Sequence, residues 1–265
     1  REINLRNDDS IAVVTNNNDV QVWRRSRGYA PEPILLKNRI KQPILAVGSE
    51  LKNNITLAFD NEAIISPHIG DLSTPEAVNS LEKTIDIFLG FFRQKPSFIA
   101  TDLHPDMHSS RIGEHLARKH SLKLFRIQHH FTHAISCMAE NNIEKAVALV
   151  FDGTGLGTDG SIWGAETLII ENGSFKRVAS FVPFKLLGGD ASVYKLSHQL
   201  ISRWLEIGEK ISLESLNELS VNEFELTILK QQFYKNINSV NSHSAGRLFD
   251  AVSAFLKLAP NKISY

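Results

Sequence analysis

The chain has 265 residues, 42% of them hydrophobic, with 29 basic and 29 acidic side chains spread along its length. That length and apolar content point to a globular α/β chain with one large core or two smaller ones, and the balanced charge argues against a dominant phosphate-backbone or membrane-surface role. Cys137 is the single cysteine, which excludes an intrachain disulfide and a cysteine-based zinc site and makes the reducing cytoplasm the simpler expectation. No apolar run approaches the roughly 20 residues of a membrane helix, and Arg1-Glu2-Ile3-Asn4 is neither an initiator start nor a signal peptide, so the sequence reads as beginning mid-protein.

In chain order, short strands are predicted at residues 11–14 and 20–23, followed by the basic run Arg24-Arg25-Ser26-Arg27-Gly28-Tyr29 and by Pro31 and Pro33. Prolines fix the backbone and remove a donor, so the stretch to about Lys41 reads as the last strands of one unit running into a linker. From Pro43 a three-strand meander is predicted at residues 44–47, 54–59 and 62–69, with Asp60-Asn61 as a turn. Residues 75–92 place Ala77, Leu81, Ile85, Phe88, Leu89 and Phe92 at helical spacing, and residues 97–101 read as a buried strand. A helix at 111–120, a strand at 123–127 and a helix at 132–141 follow. At Ala146 the pattern restarts with a strand to Phe151, a glycine-rich turn, and strands at 161–168 and 175–184. Two meander-then-αβ units in series suggest a duplicated core, although periodicity alone supports no more than α/β.

In Gln128-His129-His130-Phe131-Thr132-His133, His129 and His133 stand four apart at a helix start, so their imidazoles can share one face and chelate a metal. Ordinary surface or core histidines would give the same pattern; His130 reads as a supporting or structural residue. Nineteen residues after His133, a strand ends in Asp152-Gly153-Thr154-Gly155-Leu156-Gly157-Thr158-Asp159-Gly160. Glycines let backbone N–H groups approach a phosphate, and a carboxylate at a strand end reaches a metal ion. Asp159-Gly160 reads as a tight turn, but the glycines before it exceed what one turn requires. Leu187-Gly188-Gly189-Asp190 offers a second backbone approach or an ordinary turn and N-cap. Ser244-Ala245-Gly246-Arg247-Leu248-Phe249-Asp250 opens a helix with Ser244 as N-cap; Arg247 and Asp250 suit a helical ion pair, and the helix start suits an anionic ligand.

Together with Arg24 to Pro31, Val47-Gly48-Ser49-Glu50-Leu51-Lys52-Asn53, His68-Ile69-Gly70-Asp71-Leu72, Asp102-Leu103-His104-Pro105-Asp106 and Ile162-Trp163-Gly164, these segments resemble, in order and spacing, the HypF family of carbamoyltransferases. The resemblance implies a duplicated actin-like, sugar-kinase-like ATPase fold, truncated, behind a fragment of a YrdC-like α/β domain. Residues 1–41 would be the tail of that domain, 42–145 the first lobe of the carbamoyl-transfer domain, and 146–265 the second lobe, incomplete at its C-terminus.

The implied activity moves a carbamoyl group from carbamoyl adenylate, made from carbamoyl phosphate and ATP, to the C-terminal cysteine of the partner HypE in nickel-iron hydrogenase maturation. His129, His133 and Asp152 inherit the binding of one divalent metal, zinc or iron, with Mg accompanying ATP. Asp152 and Lys52 stand at the reacting end, Lys52 together with Asn53 as phosphate contacts. Gly153, Thr154, Gly155 and Gly157 line the phosphate and acyl end, Gly189 offers a further backbone contact, and Gly246 and Asp250 lie by the ribose. No membrane or nucleic-acid partner is implied. Related O-carbamoyltransferases of small hydroxyl compounds and tRNA threonylcarbamoyl transferases share the histidine pair, and a partial copy that binds nucleotide or partner without turnover is a third reading. The family usually reads His-His-His-Ala-His where this chain has His129 to His133, and Arg-Glu-Pro where it has Tyr194-Lys195-Leu196.

Overall fold

The computed structural model describes residue 5 and residues 7–258. The opening Arg1-Glu2-Ile3-Asn4, residue 6, the closing residues 259–265 and the side chains of Asp190 and Ala191 lie outside the described residues. Two compact units account for the chain, Arg1–Ile127 with Ala139–Asn142, and Gln128–Met138 with Ile143–Tyr265. Most of the histidine-bearing helix therefore belongs to the second unit, ahead of the restart at Ala146.

In the first unit, β1 (Ile11–Val14) and β2 (Val20–Arg24) form a two-stranded antiparallel sheet of their own. Val14, Val20 and Trp23 are exposed, and among the described residues no further strand pairs with this ribbon. The chain after it is pinned at Ser26, which is fully buried and donates its Oγ–H to Asn7 Oδ1 at 3.0 Å.

The expected linker and meander take a different form. β3 (Ile34–Ala46) is one long strand running through Pro43, and β4 (Thr56–Ile65) pairs with it antiparallel through the position expected to turn. Asp60 takes φ 50 opposite Ile40, where the register shifts. The left-handed residue is absorbed as an irregularity within the ladder instead of reversing the chain. Pro43 is tolerated because its carbonyl is what the neighbour uses, accepting from Ser97 N at 2.8 Å.

β5 (Phe98–Asp102) and β6 (Lys123–Ile127) add parallel strands, giving the order β4-β3-β5-β6. α1 (Pro75–Phe92) starts with Thr74, whose side chain accepts from Ala77 N, and buries Ala77, Leu81, Ile85 and Phe88 against Leu45, Val47, Ile55 and Ile99. α2 (His108–Lys119) begins three residues earlier than the spacing predicts, since Glu50 Oε2 accepts from His108 N at 2.7 Å and Glu50 Oε1 meets His108 Nδ1 at 2.5 Å. Nothing near Arg111 in the sequence announces a cap that arrives from 58 residues away.

The second unit contains α3 (His129–Glu140), β7 (Ala146–Leu156), β8 (Ile162–Glu171), β9 (Ser174–Ser180), β10 (Phe184–Leu187), a short 3-10 helix (Gly189–Tyr194), α4 (Leu196–Glu206), α5 (Leu213–Glu218), α6 (Glu223–Lys235), β11 (Ser239–Ser242) and α7 (Ala245–Phe255). The strand expected at 175–184 is two: β9 pairs with β8, and β10, beyond Pro183, pairs with β11. Proline has no N–H with which to continue the ladder. α3 packs Ala134 and Met138 onto Val150, Trp163, Leu168 and Ile170 of the sheet. A separate core gathers Leu200 and Ile201 of α4, Leu229 and Phe233 of α6, and Ala251 and Ala254 of α7. Among the described residues, no helix is long and apolar enough to cross a membrane.

Candidate metal and nucleotide site

The second unit builds its polar site from the start of α3. Gln128 Oε1 accepts from Phe131 N at 2.9 Å, capping the helix, and Gln128 Nε2 donates to Leu156 O at 3.1 Å. One turn separates His129 from His133, and their Nε2 atoms lie 3.2 Å apart. Asp152 Oδ2 stands 3.2 Å from His129 Nε2. The three side chains offer donor atoms that all lie within 4.8 Å of one another. Two ligands about 2.0–2.1 Å from a tetrahedral zinc ion are themselves separated by about 3.3 Å. Two imidazoles and a carboxylate at this spacing therefore suit one divalent cation.

Asp152 is half-buried, and burial alone would push its carboxyl up; the His129 hydrogen bond, the Gly153 N–H and the charges of His129 and His130 hold it below its ordinary value. Gly153 N donates to Asp152 Oδ1 at 2.6 Å, which turns the other oxygen toward the histidines. His130 is wholly buried; its Nε2 is 3.8 Å from Asp152 Oδ2, its Nδ1 is 3.1 Å from Gln128 Nε2, and its ring packs 6.0 Å from that of Trp163.

The segment read as a glycine-rich turn is a bulged strand. β7 continues to Leu156, and its register on β8 jumps between Phe151, opposite Ala165, and Gly155, opposite Trp163. Residues 152–154 thus face Gly164 alone and arch out of the ladder, with Thr154 exposed. The glycines serve close packing. A Cβ on Gly155 would lie 2.6 Å from His130 Cε1 and 3.1 Å from His129 Cβ, and one on Gly157 would lie 2.1 Å from Trp163 Nε1. The N–H of Gly157 is bonded to Ser161 O at 2.8 Å, so this glycine accommodates Trp163 and leaves no N–H for a phosphate. The tight turn falls at Asp159-Gly160 as expected, with Gly160 at φ 79.

The start of α7 meets this bulge. Ser244 is the expected N-cap, accepting from Arg247 N at 3.0 Å, and its Oγ–H donates to Gly153 O at 2.5 Å. Residues 152–153 and 244–247 meet, both within the second unit, as their placement in one lobe requires. The expected ion pair is present: Arg247 Nη1 lies 2.9 Å from Asp250 Oδ2 and also donates to Val193 O at 2.9 Å. Arg247 thereby ties the helix to the 3-10 segment, where Gly188 and Gly189 adopt φ 97 and 60; the turn reading holds there, with Gly189 against Asn238.

Lys52 lies in the first unit, exposed, with its N–H donating to Asp71 Oδ1 at 2.7 Å. Asn53 is buried and donates Nδ2 to Val47 O and Ser49 O, which gives it a structural place. Sequence reading missed the group behind the histidines. Asp159 accepts from Ser161 N, Ser161 Oγ and Trp163 Nε1 and pairs with Arg177, which stacks over Trp163 and also binds the buried Glu166. Nothing local in the sequence announced that Glu166 is buried, since four consecutive residues of β8, Trp163 to Glu166, are covered and no alternation marks an outward face. A separate groove of about 480 Å³, lined by Phe181, Phe184, Arg203, His243 and Leu248, contains none of His129, His133 or Asp152.

Comparison with known proteins identifies the family of the chain. A family model described as the HypF Kae1-like domain matches residues 39–140, and one described as the second subdomain of the carbamoyltransferase Kae1-like domain matches residues 148–265. Carbamoyltransferase HypF of Synechocystis sp. is 32% identical, the match taking in 97% of this chain and 35% of that protein. Probable carbamoyltransferase HypF of Methanocaldococcus jannaschii is 36% identical over 99% of this chain and 34% of its own length. Among solved structures, full-length HypF in its phosphate- and nucleotide-bound form has 35% identity and a TM-score of 0.88, covering 98% of this chain and 34% of that one. T. kodakarensis HypF has 29% identity and a TM-score of 0.87, covering 98% and 35%. The chain spans about a third of the length of these relatives.

Proposed function

Since this chain belongs to the HypF family and to its Kae1-like part, we propose that it transfers a carbamoyl group from carbamoyl adenylate to the C-terminal cysteine of HypE in nickel-iron hydrogenase maturation, in the cytoplasm. The adenylate would come from carbamoyl phosphate and ATP, with Mg accompanying the nucleotide. The observation that carries the reading is the meeting of His129, His133 and Asp152 at the β7 bulge, beside the start of α7.

In the transfer, the cysteine thiolate bonds to the carbonyl carbon, the bond from that carbon to the phosphate oxygen breaks, and AMP leaves with the electron pair. His129, His133 and Asp152 would hold a divalent metal, zinc or iron, which would supply Lewis-acid polarisation of the acyl or phosphate oxygen. Thr154 on the bulge and Gly246 at the helix start flank the phosphate, where the positive end of α7 favours an anion. Asp250, fixed by Arg247, is the ribose contact. Close packing around Gly155 and Gly157 keeps water from the back of the site, which matters because a hydrolysed adenylate is a lost carbamoyl group.

The test exchanges this chain for the matching third of the Synechocystis protein and follows HypE by mass spectrometry in the presence of carbamoyl phosphate and ATP. We expect the C-terminal cysteine to gain one carbamoyl group, and His129→Ala to abolish the gain. A folded, ATP-binding chimera that leaves HypE unmodified refutes the assignment.

A further inference from the structure

His130 is the one histidine of the α3 start that does not face the proposed metal, yet it is the most buried of the three. Its role follows from the side chain that precedes it. Gln128 Oε1 accepts from the backbone N–H of Phe131 at 2.9 Å, and a backbone N–H can only donate, so the identity of that oxygen is fixed. Gln128 Nε2 then donates one hydrogen to Leu156 O, which can only accept, at 3.1 Å. Its second hydrogen points to His130 Nδ1 at 3.1 Å. An amide N–H there requires a lone pair on Nδ1, so neutral His130 carries its proton on Nε2. That atom is the one set 3.8 Å from Asp152 Oδ2.

We infer that His130 is a positioning residue for Asp152, with Gln128 selecting the tautomer that aims an N–H at the carboxylate oxygen facing His129 and His133. The inference rests on the metal reading above. Two ring nitrogens stand beside Asp152 Oδ2, His129 Nε2 at 3.2 Å and His130 Nε2 at 3.8 Å. A ligating His129 presents its Nε2 lone pair to the metal and cannot donate to Asp152, so the N–H turned toward this carboxylate oxygen is that of His130. At 3.8 Å the contact is longer than a hydrogen bond and acts as an oriented dipole on the carboxylate. Gly153 N holds the opposite oxygen at 2.6 Å, so Asp152 is clasped from both sides. Gly155 completes the arrangement, because a Cβ at that position would lie 2.6 Å from His130 Cε1 and push the ring away. Partners of this kind orient ligands and raise their effectiveness, and their loss costs about 10- to 100-fold in metal affinity.

The experiment has two arms. Nitrogen-15 NMR of the metal-free chain reads the tautomer directly: we expect the Nε2–H form at His130 in the parent and the Nδ1–H form in Gln128→Glu, whose carboxylate still caps α3 but can only accept from the ring. Zinc affinity, measured by competition with a chromogenic chelator, is expected to fall about 10- to 100-fold in Gln128→Glu and in His130→Phe. It should recover in His130→Gln, whose amide N–H can stand in for Nε2–H. A parent chain in the Nδ1–H form overturns the inference whatever the metal does. So does a Gln128→Glu chain with the flipped tautomer and undiminished zinc affinity, or a His130→Gln chain as weak as His130→Phe. Failure of the metal reading looks different: zinc would bind equally to the parent and to His129→Ala, while the NMR arm still decides the tautomer.

Discussion

Gly246 at the start of α7 sits so close to Gly153 in the β7 bulge that a Cβ on Gly246 would lie 2.9 Å from the Gly153 Cα. The two backbones touch, and that contact holds the helix start against the strand that carries Asp152. Gly246→Ala must push them apart, and overpacking of this kind costs about 1–3 kcal/mol. We expect urea denaturation to show that loss together with weakened AMP binding. Gly90 in α1 provides the control, since a Cβ there meets nothing within 4 Å; Gly90→Ala should stabilise the chain by about 0.5–1 kcal/mol.

The metal assignment predicts that His129→Ala and His133→Ala each abolish stoichiometric binding of zinc, read by elemental analysis after dialysis. Asp152→Asn should weaken binding less than either. Retention of metal at the parent stoichiometry in both histidine variants would put the site elsewhere.

How far this site could be read from the chain depends on what fixed each residue. His129 and His133 were legible because four-residue spacing at a helix start is a local rule. Ser244 and the Arg247–Asp250 pair were legible for the same reason. The β7 bulge was not, because glycines that make room for His130 and Trp163 look the same in sequence as glycines that turn a chain. Asp60-Asn61 failed in the opposite direction, a turn signal overridden by the pairing of β3 with β4. The helices α4 to α6 went unread for want of a motif on which to anchor them.

Arg177 and Glu166 form a pair in which the carboxylate is fully buried and the Nε–Oε2 distance is 2.5 Å. Arg177→Met strands that charge, which costs about 3–5 kcal/mol. Glu166→Gln combined with Arg177→Met should recover most of the loss. Chemical denaturation of the two single variants and the double variant measures the coupling, and additive losses would show that the pair is not the unit of stability.

Asp159 gives a pH dependence. Burial would raise its carboxyl, but hydrogen bonds from the Ser161 hydroxyl and N–H and from Trp163, with the Arg177 charge, lower it from 3.8 to about 2. A carboxylate depressed in the folded state contributes stability that is fully present above its unfolded value and is lost as the pH falls through its folded one. The difference in stability between the parent and Asp159→Asn should therefore be constant at neutral pH and shrink steadily as the pH falls through 3.8 toward about 2. Denaturation curves across that range test it.

Glu50 accepts from His108 N in the first turn of α2, where Met107 at the cap position has no side-chain bond to offer. Glu50→Ala should cost about 0.5–2 kcal/mol, the usual value of a lost cap, while Glu50→Gln should retain most of it. Hydrogen exchange localised to residues 108–111 would report the fraying.

That cap has a consequence for the order in which the first unit assembles. α1 carries its own start signal, Thr74 with Pro75 immediately behind it, so its first turn can close from neighbours in the chain. α2 has its start signal 58 residues upstream, and a helix whose nucleus is costly gains nothing from a cap that has not yet arrived. The loop from Glu50 to His108 must be closed before α2 is secured, and that loop contains β4, α1 and β5. The position of this one carboxylate leads us to expect α1 to form ahead of α2 in the first unit, with α2 secured only once the sheet has brought Glu50 to its start.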